Sequence, residues 1–159
     1  MADGNYIDGK VRLASPLLED YCYLTKNMRP DEIEQWEAVT GSKYDSNSCA
    51  LGLASIPGLK FTIIDKKGYP VCVGGFEEIR PKVFQCWMAG TMDGWAKHWR
   101  AMTKFTRRIM DDMFESGQAQ RIQIYALSSR TEAHRWYEKG LQCAYEGEHP
   151  YFFAGGQSA

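Results

Sequence analysis

The chain has 159 residues, 44% of them hydrophobic, which supplies apolar surface for one core and leaves no comfortable room for a second domain. Its 19 basic and 20 acidic residues give a formal net charge of −1, so the whole-molecule field favours neither nucleic acid nor an anionic membrane, and any charged surface is local. Residues 1–8 carry no basic segment ahead of an apolar run, and no stretch approaches the ~18 apolar residues of a spanning helix, so a soluble, cytoplasmic protein without membrane contact is expected.

The 5 cysteines are odd in number and scattered, with no Cys-x-x-Cys pair and only 3 histidines beside them. That pattern argues for reduced, mostly buried thiols and against a disulfide framework or a zinc knuckle.

Val11 to Ala14 reads as a short strand, and Ser15-Pro16 opens a helix to about Met28 with Leu17, Leu18, Tyr21, Cys22, Leu24 and Met28 on its apolar side. Arg29-Pro30-Asp31 restarts the chain as a second helix to Val39, ended by Thr40-Gly41. Ser46 or Asn47 caps a third helix through Ser55, which Pro57-Gly58 stops. Lys60 to Ile64, Val71 to Ile79 and Val83 to Ala89 are three strands joined by turns at Lys66-Lys67-Gly68 and Pro81, an antiparallel meander. Gly74-Gly75 marks a bulge or a close approach by another backbone.

From Gly94 or Trp95 to Ser116 there is neither proline nor internal glycine, which predicts a helix of roughly 33 Å. Trp95, Trp99, Met102, Phe105, Ile109, Met113 and Phe114 form its apolar stripe. Lys97, Arg100, Lys104, Arg107 and Arg108 form a basic one, either a solvated face or a contact for phosphate or a partner. Gly117 closes the helix. Arg121 to Leu127 then reads as a buried strand, Ser128 to Arg130 as a polar turn, and Thr131 as the start of a helix whose Ala133, Trp136, Tyr137 and Leu141 share a face. Cys143 to Phe153 is a last strand or bent hairpin broken at Pro150, and residues 154–159 a frayed tail. His98 and His134 read as surface or structural residues.

The run Ala133-His-Arg-Trp-Tyr-Glu-Lys139, after a strand ending in Leu127-Ser-Ser, is similar to the late motif of the GNAT acyl-CoA N-acyltransferases, commonly Asn-x-x-Ala-x-x-x-Tyr-x-Lys-x-Gly-Phe. Arg130 stands at the Asn position, and Gly140-Leu141-Gln142 where Leu-Gly-Phe is usual. The resemblance implies a mixed α/β fold: a single GNAT-like domain over 1–159 with its core in 11–153, a meander followed by strand-helix units around a central mixed sheet. It implies an enzyme that moves an acetyl group from acetyl-CoA to an amine-bearing small molecule or protein. The cofactor would lie between the strands at 83–89 and 121–127, and Tyr137 would protonate the departing thiolate.

The same resemblance puts Glu77 or Glu78 on the strand facing the cleft, as base for the amine. It makes Met88, Gly90, Asp93, Gly94, Trp95, Lys97, Ser128 and Arg130 the cofactor-binding set, with backbone amides around Gly90 to Trp95 on the pyrophosphate. From the residues alone, Tyr137 is a core tyrosine, Glu77 and Glu78 are strand-end carboxylates, and Asp93 is a plain helix cap. The loop Ala89-Gly-Thr-Met-Asp-Gly94 lacks the Arg-Gly-x-Gly spacing of the usual phosphate loop.

Residues 80–145 also resemble the GNAT-like internal virion proteins of short-tailed bacteriophages, in the strand Trp87 to Thr91, the aromatic helix with His98 and Arg107-Arg108, and the late Ala133-x-x-Trp136. Those proteins share the acyltransferase fold and commonly lack the full loop. This implies an alternative function as a non-catalytic virion or host-interaction protein, with a phage or host protein as partner, in the host cytoplasm or the virion.

Overall fold

In the computed structural model, which describes residues 6–7 and 10–147, the chain runs β1 (Tyr6–Ile7), β2 (Val11–Ala14), α1 (Leu18–Lys26), α2 (Pro30–Thr40), α3 (Ser46–Ser55), β3 (Leu59–Asp65), β4 (Pro70–Arg80), β5 (Val83–Gly90), α4 (Met92–Glu115), β6 (Arg121–Ile124) and α5 (Thr131–Arg135), the last continuing as a π turn over Trp136–Gly140. The strands form one mixed sheet in the order β1-β2-β3-β4-β5-β6. Neighbours are antiparallel except β5 and β6, which are parallel. Connectivity explains the exception. The turns at Lys66–Gly68 and Pro81–Lys82 can only reverse the chain, whereas α4 carries it back along the sheet to start β6 in the same direction as β5.

β4 is buried from Pro70 to Phe76 because helices cover both faces of the sheet. Side-chain alternation along β5 divides the two cores. Phe84 and Cys86 point to the α4 side, against Met102, Phe105, Met110 and Met113. Ala89 and the partly buried Trp87 point to the side of α1 and α3, with Tyr21, Leu24, Cys49 and Ala50. Burial of each large apolar side chain stabilises by about 1.5–3 kcal/mol. That outweighs the acidic C-terminal end of α4, which has no basic residue in its last turn and opposes the helix dipole by a few tenths of a kcal/mol per charge.

Several local expectations are corrected. α4 begins at Met92 and is capped by Thr91, whose Oγ1 accepts from the Gly94 amide at 2.8 Å, so Asp93 lies in the first turn and is not the cap. α3 is capped by Asp45, whose carboxylate accepts from the Ser48 amide at 2.9 Å. The Gly74-Gly75 pair forms no bulge; it admits aromatic rings and, at Gly74, the close approach of the Trp87 backbone carbonyl, 3.1 Å from where a Cβ would stand. A Cβ on Gly74 would lie 2.7 Å from the Phe61 ring, and one on Gly75 2.6 Å from the Trp87 indole. β6 ends at Ile124 and not at Leu127. Residues 143–147 form no regular element, and the rest of the expected last strand and the tail lies outside the described residues.

Candidate active site

The parallel ladder between β5 and β6 runs from Val83–Arg121 to Cys86–Ile124 and then stops. β5 continues to Gly90, while β6 ends at Ile124. Beyond Cys86 and Ile124 the two chains are no longer paired with each other, and this unpaired interval is the slot. Its direction on β5 is fixed by alternation: the Thr91 amide donates back to the Val71 carbonyl of β4 at 3.0 Å, so the Gly90 amide faces the slot.

α2 sits across this slot. Both carboxylate oxygens of Glu32 accept from the Gly90 amide, at 3.1 and 3.3 Å, and Oε1 also accepts from the Trp95 indole at 3.3 Å. One turn further on, Gln35 Oε1 accepts from the Leu127 amide at 3.2 Å and from the Arg130 guanidinium at 2.6 Å. Arg130 Nε donates to Asp31 at 2.9 Å, and Arg29 reaches the other Asp31 oxygen at 3.2 Å. The Arg29 guanidinium lies 5.6 Å over the Trp95 ring. Two carboxylates and two guanidiniums thus balance around the slot, which is how buried charge is tolerated.

Electrostatics single out two groups. Burial pushes the Glu32 carboxyl up to about 7, although Arg130, the Gly90 amide and the Trp95 indole each pull it down. Burial also pushes the Tyr137 phenol well above its usual range, against the pull of the Arg130 guanidinium beside it. The phenol is therefore protonated at any physiological pH. Arg130 keeps its charge: burial works against it, but Tyr137, Asp31 and Glu32 more than compensate.

Of the residues expected from the sequence, Gly90, Trp95, Arg130 and Tyr137 come together around the slot. Met88 is partly buried against the α4-side core. Ser128 is exposed on the turn before α5. Asp93 and Lys97 are exposed on the outer side of α4, 3.9 Å apart. Glu77 and Glu78 pair with Gln85 and Phe84, within the stretch of β5 that is zipped to β6. They therefore sit at the closed end of the slot, and Glu78 accepts from the Lys82 amide at 3.0 Å. Glu32 and Gln35 are not among the residues that the sequence marks out. In Pro30-Asp31-Glu32-Ile33-Glu34-Gln35 the acidic residues look like first-turn partners of the helix dipole, and nothing in the spacing marks one of them as buried.

The start of α4 is closed as well. The Met92 amide donates to the Asn27 carbonyl at 3.0 Å and the Gly94 amide to Thr91. A Cβ on Gly94 would lie 2.3 Å from the Val71 carbonyl oxygen. As arranged, these residues do not fit the pantetheine arm and pyrophosphate of an acyl-CoA, because the amides that would receive them already have acceptors. A groove of about 1250 Å³ lies along β6, lined by Ile122, Ile124, Met110, Phe114 and Leu141. Its lining also includes Leu127, His134 and Tyr137 but not Glu32 or Gly90.

No family model and no curated protein matches the sequence. Solved structures do match in fold. A GNAT-family acetyltransferase from Bacillus anthracis superposes with a TM-score of 0.67 at 10% identity, over 87% of this chain and 82% of that one. The microcin C7 self-immunity acetyltransferase MccE, solved in complex with acetyl-CoA and AMP, gives 0.66 at 14% identity over 87% and 81%. Spermidine N-acetyltransferase from Vibrio cholerae, in complex with CoA and spermine, gives 0.61 at 14% identity over 87% and 83%. The chain has the fold of the GNAT acetyltransferases. Among the described residues no helix is long and apolar enough to cross a membrane, and no group of His, Cys, Asp and Glu side chains could hold a metal ion.

Proposed function

We propose that this chain is an N-acyltransferase that moves an acetyl group from acetyl-CoA to an amine, with its site in the slot between β5 and β6. The observation that carries the reading is the end of pairing between those two parallel strands after Cys86 and Ile124, beside Arg130, whose guanidinium acts on both Tyr137 and Glu32. Tyr137 holds a proton at its phenol and is assigned as the general acid. Glu32, with a carboxyl that gains and loses a proton near neutrality, is assigned as the base in place of Glu77 and Glu78, which lie at the zipped end. An amine acceptor suits an anionic base beside the slot, and the fold-related spermidine acetyltransferase makes a polyamine the first acceptor to try. The test is calorimetric titration with acetyl-CoA and with CoA, followed by acetylation of spermidine. Absence of binding at millimolar ligand removes the reading.

The closed start of α4 favours a second reading, a non-catalytic protein on the same scaffold. It would be of the kind that serves as an internal virion or host-binding component of a short-tailed phage. Its partner surface would be the basic and aromatic face of α4, where Trp99 is 46% exposed and Arg100 lies 5.2 Å over its ring. Reversing the charges of Lys97, Arg100 and Lys104 would then abolish co-purification of a partner, while Tyr137→Phe would leave it intact.

A further inference from the structure

The slot between β5 and β6 is filled by the chain itself, and the manner of filling is informative. Two backbone amides, Gly90 on one side and Leu127 on the other, are satisfied by side chains of one helix, three residues apart. A third strand or an amide-bearing ligand would meet the same two donors with its own carbonyl oxygens. The helix that substitutes for it is held weakly by apolar contact. Glu32 is the only buried residue of α2; Ile33 and Trp36 are partly buried against the α1 and α3 side of the core. Hydrogen bonds that exchange one acceptor for another change little in net free energy. A helix whose contacts with the sheet are such bonds, with the Asp31–Arg130 ion pair beside them, is the kind of element that opens locally, below the free energy of global unfolding. Its ends permit this: Gly41, in the left-handed region at φ 69°, terminates α2, and Ser42 and Lys43 beyond it are exposed.

We propose that α2 is a latch on the β5–β6 slot, with Glu32 and Gln35 standing in for the amide carbonyls of a pantetheine arm, so that acyl-CoA enters only when α2 swings aside. The identity of the ligand rests on the acyl-transfer reading above; the opening of the latch does not. The latch also reconciles an acyltransferase fold with a slot that, as closed, admits no acyl-CoA.

The test uses the full chain and two variants, Gln35→Ala, which removes the acceptor for Leu127 and Arg130, and Gln35→Glu, which keeps one. Residue-resolved hydrogen exchange is measured first. Gly90, Leu127 and the amides of α2 exchange together, faster than the central amides of α4. Gln35→Ala speeds that group about tenfold and leaves α4 unchanged, and Gln35→Glu restores protection. Exchange of Gly90 and Leu127 only with the α4 core, by global unfolding, overturns the latch. Acetyl-CoA titration is the second arm, with Gln35→Ala binding about tenfold more tightly than the unmodified chain because less of the protein is held closed. Binding with equal affinities overturns α2 as the gate for acyl-CoA. Local opening without acetyl-CoA binding in any variant upholds the latch and removes acyl-CoA as its ligand.

Discussion

Glu32 and Gln35 lie three residues apart on α2, and each closes a backbone amide on a different side of the parallel junction between β5 and β6, Gly90 at the end of β5 and Leu127 past the end of β6. Where a strand would have extended the ladder, two side chains do so instead. This arrangement concentrates charge in a place that helix and sheet have dried out, and the stability of the protein should report it.

Glu32 makes that report through pH. Its carboxyl is raised from 4.5 to about 7 by burial, so between these values the folded state binds more protons than the unfolded state. Stability therefore falls as pH rises through this window and levels off above it. The contribution is on the order of 3 kcal/mol. Glu32→Gln carries no ionisation, so the difference between its unfolding midpoint and that of the unmodified chain should grow in the variant's favour from pH 4.5 to 7.5. Parallel urea titrations across that range check it, and a constant difference would contradict the buried-carboxylate account.

Much of this fold was legible because its signals are local. Alternation in Val83 to Ala89, the turn residues at Gly68 and Pro81, and the unbroken stretch through α4 each follow from short-range chemistry, and the observed elements differ by only a few residues. Tyr137 and Arg130 were legible through a motif around a single turn. Glu32 was not, because its burial depends on a partner 58 residues away at Gly90. The spacing of apolar residues in α2 says which face is greasy, but not that the sheet beneath has split and left an amide in need of an acceptor. The early end of β6 has the same cause: Tyr125 to Leu127 read as strand by composition, yet pairing fails where the slot opens.

Arg130 has 6% of its side chain exposed and joins Asp31 and Gln35 to the slot. Removing Arg130 leaves Asp31, 29% exposed, with Arg29 alone at 3.2 Å and takes a donor from Gln35. Arg130→Met is therefore expected to lower stability by about 1–3 kcal/mol, whereas replacing the exposed Lys97, paired with Asp93 at 3.9 Å, should change it by less than about 1 kcal/mol. Denaturant unfolding of the two variants side by side separates these cases.

Gly94 is constrained by backbone and not by a movable side chain. A Cβ there would stand 2.3 Å from the Val71 carbonyl oxygen, which also accepts from the Thr91 amide. Gly94→Ala must push α4 off β4 and should lower stability by about 1–3 kcal/mol, although alanine is the better helix former. Thr91→Ala, which removes the cap and the long hydrogen bond from its hydroxyl to the Val71 carbonyl at 3.4 Å, should cost about 1–2 kcal/mol, and Thr91→Ser should recover most of it. A Gly94→Ala variant as stable as the original would show that the two elements are not in the contact described.

Tyr137 offers the sharpest test of the acyl-transfer reading, because its hydroxyl can be removed while the ring remains. Burial holds the phenol protonated well beyond neutrality, so it can donate a proton but has none to accept. Its loss should therefore slow a step that needs an acid and spare ligand binding. Tyr137→Phe is expected to lower kcat by about 10²-fold or more, the usual scale for a positioned acid, with the Kd for acetyl-CoA unchanged within about threefold. The ring contacts with Trp136 and His134, at centroid distances of 5.9 and 6.2 Å, persist in the phenylalanine variant, so a fall in kcat would not reflect a collapsed site. Steady-state acetylation of a polyamine, measured beside calorimetric titration of the cofactor, gives both numbers. A variant that keeps its full kcat removes Tyr137 from the chemistry, and one that loses cofactor affinity along with kcat makes it a binding residue instead.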